Sequence, residues 1–350
     1  SSPIERSELS KIIGESYFNL NQFEDAIPYL QEYKGKKGKW NNTDFYLLGY
    51  AYYKQENYQE AEVWFSKIID GNNSVSQNAY YHLGECYLKN EKKQEALNAF
   101  RNAKQMDFDQ DIKKDAWLNY AKLSYELGNP YKSVAEVIQE YIQAYPEGVD
   151  HSEIKEYLVS AYLSANDFEG AMEYLKNSSD DDNGAYHKVA FLYAVQLFEN
   201  ENYEASIKNF DLCLNNSSNS VYHSRALFWK GEANYRQQNY QEALLNFNSF
   251  QETEESKETA ENKLVLYHKA YTYFQLKDYN QAGGHFNEYL SSAENETLIN
   301  DSHLRLGDCY FALSNYFKAV PAYEKVISAN ESDVDYAQLQ IAFCHGYMGD

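Results

Sequence analysis

The sequence predicts an all-α protein built as a solenoid of stacked helix pairs, and three observations predict it. The stretch from Phe45 to Ile69, FYLLGYAYYKQENYQEAEVWFSKII, carries apolar residues at i, i+3, i+4 and i+7 spacing on either side of a polar break, QENYQE. That is the period of two amphipathic helices joined by a tight turn. The same small–aromatic–small–aromatic spacing then recurs along the chain at intervals of roughly 35 to 39 residues. One such hairpin cannot bury its own apolar face, so copies must stack on one another. Finally, 350 residues contain only 5 Pro and 16 Gly, which suits a largely helical chain.

Taken in order, the first helix is expected to start near Ser7, with the first turn at Asn21–Asp25. The first copy is marked by Gly14, Tyr17, Ala26 and Leu30, the second by Gly49, Tyr52, Ala61 and Phe65. Between them lies a basic stretch, KGKKGKW at 34–40, read as a solvated connector. A polar connector at 71–77 leads to the third copy, Gly84, Tyr87, Ala96 and Phe100. The fourth is looser: Trp117 and Ala121, an insertion near Pro130, then Val134, Ile138, Tyr141 and Pro146. The fifth has Val159, Tyr162, Ala171 and Leu175. The acidic connector at 177–184 places Asp180, Asp181 and Asp182 consecutively, whereas a calcium loop needs carboxylates at alternate positions.

The sixth copy has Ala194, Leu197, Ser206 and Phe210, followed by a polar connector at 215–220. The seventh has Gly231, Asn234, Ala243 and Phe247, and the charged segment 251–262 after it is expected to lengthen a helix. The eighth has Ala270, Tyr273, Ala282 and Phe286. Gly283–Gly284 fall inside its second helix, which implies either close packing with no room for a Cβ or a bend. The ninth has Gly307, Tyr310, Ala319 and Tyr323, and a tenth begins near Asp335 with Ala342. The expectation is one array over 1–350, with copies at about 7–41, 42–76, 77–113, 114–151, 152–186, 187–223, 224–262, 263–299 and 300–334, and a truncated tenth at 335–350. Without a second helix, the tenth should leave Phe343 and Tyr347 partly uncovered.

This spacing resembles the tetratricopeptide repeat, W-x2-LG-x2-Y followed by A, F, A and P at fixed offsets. LLGYAY, HLGECY and RLGDCY match it best, and Trp117 and Pro146 fill the Trp and Pro places of the fourth copy. The resemblance covers nearly all of the chain. It implies a right-handed superhelix of antiparallel helix pairs and a non-catalytic protein–protein interaction scaffold. In this family a chaperone-docking branch clamps a carboxylate with Lys and Asn on consecutive first helices. Here the corresponding places hold Lys11 and Glu15, then Tyr46 and Tyr50, so that function is set aside.

Net charge is −22, from 31 basic and 53 acidic residues. This argues against nucleic acid, whose binding requires positive surface to displace counterions, and against anionic membranes. The four cysteines, Cys86, Cys213, Cys309 and Cys344, are read as small core residues; only Cys309 and Cys344 stand in adjacent copies. No apolar run approaches the roughly 18 residues of a membrane span. Both ends read as cut from a longer protein. The Asn-, Lys- and Tyr-rich usage points to an AT-rich bacterial genome, and a periplasmic or envelope-associated setting, within an envelope or secretion assembly, is favoured over a cytoplasmic one by analogy.

Catalytic signatures are missing: no H-E-x-x-H, P-loop, G-x-G-x-x-G or G-x-S-x-G, and eight histidines without an i, i+4 partner. The reading is no enzyme, no cofactor and no metal. The alternative is a recruiting or regulatory region of a larger enzyme or signalling protein whose active domain lies elsewhere.

The resemblance also implies where partners bind, because in this family one side of each first helix lines the concave groove. A solvated face should be polar there. Instead it carries Tyr46, Tyr50 and Tyr53, then Tyr81 and Tyr125, Phe191 and Phe198, Phe228 and Tyr235, and Tyr267, Tyr271 and Phe274. Lys54, Glu85, Lys122, Glu232 and Arg236 intersperse them. Tyr offers broad contact area and a hydroxyl at little rotamer cost. The expected partner is therefore a protein or peptide, as an extended segment or an amphipathic helix, with Tyr50 and Tyr271 the foremost anchors.

Overall fold

Nineteen α-helices and two 3-10 turns, with no strand, make up the described part of the chain. The computed structural model describes residues 2–68, 71–146, 151–177, 183–215 and 221–349. Most of the connectors at 177–184 and 215–220, including Asp180–Asp182, lie outside them, as does the side chain of His151. The chain divides into two compact units, Ser1–Asn166 and Asp167–Asp350.

The N-terminal unit contains α1 (Pro3–Asn19), α2 (Phe23–Glu32), α3 (Asn42–Lys54), α4 (Tyr58–Phe65), α5 (Ser74–Lys89), α6 (Lys93–Lys104), α7 (Gln110–Leu127), α8 (Val134–Ala144) and α9 (His151–Ser164). The C-terminal unit contains α10 (Phe168–Asn177), α11 (Asn183–Glu199), α12 (Tyr203–Leu214), α13 (Val221–Arg236), α14 (Tyr240–Glu252), α15 (Val265–Gln275), α16 (Tyr279–Leu290), α17 (Glu296–Ala312), α18 (Tyr316–Ala329) and α19 (Val334–Met348). Within each unit, sequence neighbours pack on each other and successive first helices also touch, α1 to α3 to α5 to α7 to α9 and α11 to α13 to α15.

The paired helices approach closely because the small residue of the first helix lies under the aromatic or Leu sixteen positions later. A Cβ on Gly49 would lie 2.9 Å from the Phe65 ring, on Gly84 2.8 Å from Phe100, on Gly231 2.7 Å from Phe247, and on Gly307 2.5 Å from Tyr323. These rings are wholly buried. Within the two units, seven of the turns between paired helices are closed by a polar residue with positive φ, Asn21, Glu56, Glu91, Glu201, Gln238, Lys277 or Ser314, whereas α7 is capped by Gly128, φ 77°, before a longer connector. The polar residue lies seven positions after the small residue, and the following amide bonds a carbonyl five residues back, as Asn57 N to Tyr52 O at 3.0 Å does. This is the Schellman arrangement, here with polar residues where Gly is usual.

Several expectations are corrected. The first helix starts at Pro3 rather than near Ser7, because Ser2 and Glu5 form a capping box and Pro3 occupies the first helical position. Residues 251–262 do not lengthen a helix. α14 stops at Glu252, and two 3-10 turns follow, Glu254–Glu258 and Ala260–Lys263. Side-chain bonds hold them: Ser256 Oγ donates to Thr253 O at 2.7 Å, Thr259 Oγ1 to Ser256 O at 2.7 Å, and Glu261 accepts from Arg225 Nε and Trp229 Nε1 at 2.8 and 2.9 Å. The close-packing explanation of Gly283–Gly284 also fails. A Cβ on Gly283 would make ordinary contacts at 3.6 Å, and one on Gly284 would meet open space. All four cysteines are free and buried. On α19, Phe343 and Tyr347 are 49% and 66% exposed.

Candidate partner-binding faces

In the N-terminal unit α3 carries Tyr46, Tyr50 and Tyr53, whose spacing of four and three places them on one helix face. The Tyr46 and Tyr50 rings stack at 5.7 Å, and Tyr50 lies 5.9 Å from Tyr53. From the next first helix, α5, His82 enters this group. Its ring lies 6.3 Å from Tyr46, 5.1 Å from Tyr50, 4.8 Å from Tyr53 and 5.3 Å from Tyr81. His82 Nδ1 is 2.8 Å from Glu85 Oε2. Tyr50 also packs on Phe18 and Phe23 of the preceding pair. Burial, with Glu85 adding to it, raises the Tyr53 and Tyr81 hydroxyls far above their ordinary range, and burial does the same for Tyr46. All three remain neutral donors at physiological pH.

Tyr125 stands apart from that cluster. It stacks on Tyr157 of α9 at 4.3 Å with nearly parallel rings and is 38% exposed. Beside it Glu153 accepts from Lys122 Nζ at 2.8 Å and from the Tyr157 hydroxyl.

The C-terminal unit presents a second, separate group. Tyr267 and Tyr271 of α15 lie 5.0 Å apart, and their hydroxyls donate to the same Asp301 oxygen of α17 at 2.8 and 2.5 Å. Arg305 Nε donates to the Tyr271 hydroxyl at 3.2 Å and Arg305 Nη1 to Asp308 at 2.9 Å. Asp308 also accepts from Tyr323 and from Tyr336 of α19, both at 2.9 Å. Burial, reinforced by Asp301, pushes the Tyr271 hydroxyl up to about 12. Phe274 packs on Tyr279 and Tyr235 on Tyr240, each half-buried.

Two of the expected groove aromatics are core residues instead. Phe228 is 1% exposed, wedged between Phe247, Phe250 and His268 at 5.6, 5.5 and 5.1 Å, and Phe191 is 2% exposed. The fifth position points at the next copy's first helix, where these rings are sealed in. Glu232 is likewise buried, 2.7 Å from His268 Nδ1 and 2.9 Å from Arg236 Nε.

Asp301, Arg305, Asp308 and the histidines His82 and His268 were not anticipated as parts of these faces. A positional signal existed: His82, His268 and Arg305 each stand two residues before the small residue of their copy, and Glu85, Glu232 and Asp308 each one residue after it. Among the described residues no group of three His, Cys, Asp or Glu is placed to hold a metal ion, and no helix is long and apolar enough to cross a membrane.

Comparison with known families bears directly on these helix pairs. Residues 194–253, 265–296 and 301–333 match models described as tetratricopeptide repeat, and residues 19–103 match the model for the anaphase-promoting complex, cyclosome, subunit 3. The chain belongs to the tetratricopeptide-repeat family. Such repeats are protein–protein interaction scaffolds, generally without catalysis of their own.

Solved structures of the same kind are similar to this tetratricopeptide-repeat chain at low identity. A tetratricopeptide repeat protein from Parabacteroides merdae is 13% identical, with 77% of this chain and 98% of that one covered and a TM-score of 0.32. The tetratricopeptide repeat domain of P58(IPK) is 16% identical, with 98% of each chain covered and a TM-score of 0.31. A chain of the APC/C hetero-tetramer Cut9–Hcn1 is 12% identical, with 98% and 90% covered and a TM-score of 0.36. No curated protein matches the chain.

Proposed function

We propose that this tetratricopeptide-repeat protein docks protein segments, as extended peptides or amphipathic helices, on the tyrosine-rich faces of its first helices. The N-terminal unit offers Tyr46, Tyr50, Tyr53, Tyr81 and Tyr125. The C-terminal unit offers Tyr235, Tyr267, Tyr271 and Phe274. The observation that carries this reading is that these rings keep surface open on the first-helix faces, Tyr125 exposed and the others half-buried, instead of being sealed in as Phe228 and Phe191 are. Rigid aromatic surface with a polar tip is what peptide-binding faces use. The hydroxyls of Tyr267 and Tyr271 are already engaged by Asp301, so there the ring faces and edges make the contact and the carboxylate holds them in place.

Site-directed photocrosslinking tests the choice of face. A crosslinking residue at Tyr125 or Tyr271 should capture a discrete partner. The same residue at Leu245 of α14 or Phe317 of α18, both strongly exposed on second helices, should not. Capture confined to the second-helix positions would overturn the reading.

A further inference from the structure

The basic stretch between α2 and α3 has no part in the faces just described, and it is not an irregular connector. Lys37 and Gly38 have φ of 54° and 75°, and Lys39 N donates to Lys36 O at 3.2 Å, which together make a type I′ turn. Gly38 N donates to Gly35 O at 3.2 Å, and Gly35 itself has φ of 84°. A Cβ at Gly35 would lie 2.4 Å from the Lys39 carbonyl, so only glycine allows the two arms to close.

The footing is equally defined. Lys34 N donates to Ser7 Oγ of α1 at 2.9 Å, and Trp40 Nε1 donates to Tyr33 O at 2.9 Å. Trp40 stacks on Trp64 at 5.3 Å, and Lys67 Nζ sits 3.8 Å over the Trp64 ring. This base holds out four exposed lysines, Lys34, Lys36, Lys37 and Lys39. No ion pair joins any of them to a carboxylate among the described residues, although the chain has 53 acidic side chains.

We propose that this turn is a preformed lysine fork that docks an acidic, Asp/Glu-rich segment of a partner protein. Four exposed lysines within six residues, 34–39, concentrate positive charge on one short turn of an otherwise acidic chain, and an anionic guest is its complement. The turn lacks the features that would select a phosphate. It has no arginine for bidentate pairing, and its Gly38 and Lys39 amides are used within the turn instead of being offered to an anion. It also lacks a membrane wedge: residues 34–39 are Lys and Gly only, and the Trp40 indole is stacked beneath. Duplex nucleic acid and an anionic bilayer extend past the fork and meet the rest of a chain whose net charge is −22, whereas a short peptide reaches the fork alone.

The test uses the intact chain and a fluorescein-labelled Glu–Gly copolymer peptide, followed by anisotropy at physiological ionic strength, about 0.15 M. The peptide should bind. Replacing Lys34, Lys36, Lys37 and Lys39 by Gln should weaken it by about tenfold or more, the summed loss expected of several exposed charge pairs. Gly35→Ala keeps every charge and disrupts the fork, and should also weaken binding with helix content unchanged by circular dichroism. Equal binding by the four-Gln variant, absence of binding by the wild type, or tighter binding of a short DNA duplex or phosphatidylglycerol vesicles would each overturn the proposal. Full binding by Gly35→Ala would overturn the preformed geometry.

Discussion

Gln77 shows how much one side chain can hold. It is wholly buried, its amide nitrogen donates to Ala103 O, Met106 O and Asp109 O at 3.4, 3.0 and 3.0 Å, and its oxygen accepts from Phe108 N and Asp109 N at 3.1 and 2.7 Å. It thereby satisfies the connector between α6 and α7. Gln77→Leu leaves those backbone groups unpaired and should destabilise the fold by about 2–3 kcal/mol, read as a lower urea midpoint. The glycines divide by what surrounds them. Gly284→Ala adds a methyl to open space in α16 and should stabilise by up to about 1 kcal/mol. Gly307→Ala drives a methyl into the buried Tyr323 ring and should cost about 1–3 kcal/mol. Thermal melts of the two variants should therefore shift in opposite directions. The family spacing made Gly307 legible in the sequence as a crossing glycine. Nothing in the sequence separated that case from Gly284, because the distinction depends on which atoms stand opposite. Gln77 was read only as part of a polar connector, since its partners lie about thirty residues away.

At the scale of elements, the helix pairs follow from the apolar period, and the turn residues follow from geometry the period does not encode. In seven of these turns the positive-φ position is filled by Asn, Glu, Gln, Lys or Ser, so composition gave no signal there. A glycine there removes the left-handed strain, and Glu91→Gly should raise stability by about 1 kcal/mol in chemical denaturation. The charged segment 251–262 was misread for a related reason. Its helix-favouring Glu and Lys suggested extension, yet Ser256 and Thr259 are buried with their hydroxyls bonded to carbonyls three residues back, and buried Glu261 takes bonds from Arg225 and Trp229 that only the folded neighbour α13 supplies. Contact between α13 and α15 also has a pH signature. Burial would push the Glu232 carboxyl up, but its bonds to His268 and Arg236 outweigh that and hold it below its ordinary 4.5. A depressed carboxyl stabilises the fold above its unfolded value and loses that contribution as pH falls from 4.5 through the lower folded value. Glu232→Gln should therefore flatten the stability profile on the acid side of pH 4.5, measured by urea unfolding across that range.

Across the whole molecule, the all-α repeat character was legible because about nine copies repeat one spacing, and repetition overrides the weakness of any one copy. The candidate faces were only partly legible. Helical periodicity put Tyr46, Tyr50, Tyr53, Tyr267 and Tyr271 on one side of their helices, but it could not foresee that His82 packs among the first three while Asp301 anchors the other two. Nor could it tell Phe228, sealed by Phe247 and Phe250, from Tyr125, which keeps a third of its surface open. Each unit thus carries its own aromatic face, and the account rests on partner binding there. The most direct measurement is calorimetric affinity for a partner captured at those faces. It compares Tyr50→Ala and Tyr271→Ala with Phe317→Ala, whose ring is 82% exposed on a second helix. At least one tyrosine variant should lose about 2 kcal/mol of binding with helix content intact, and Phe317→Ala should bind as the parent does. Normal binding by both tyrosine variants, or loss that appears only when they unfold, would contradict it.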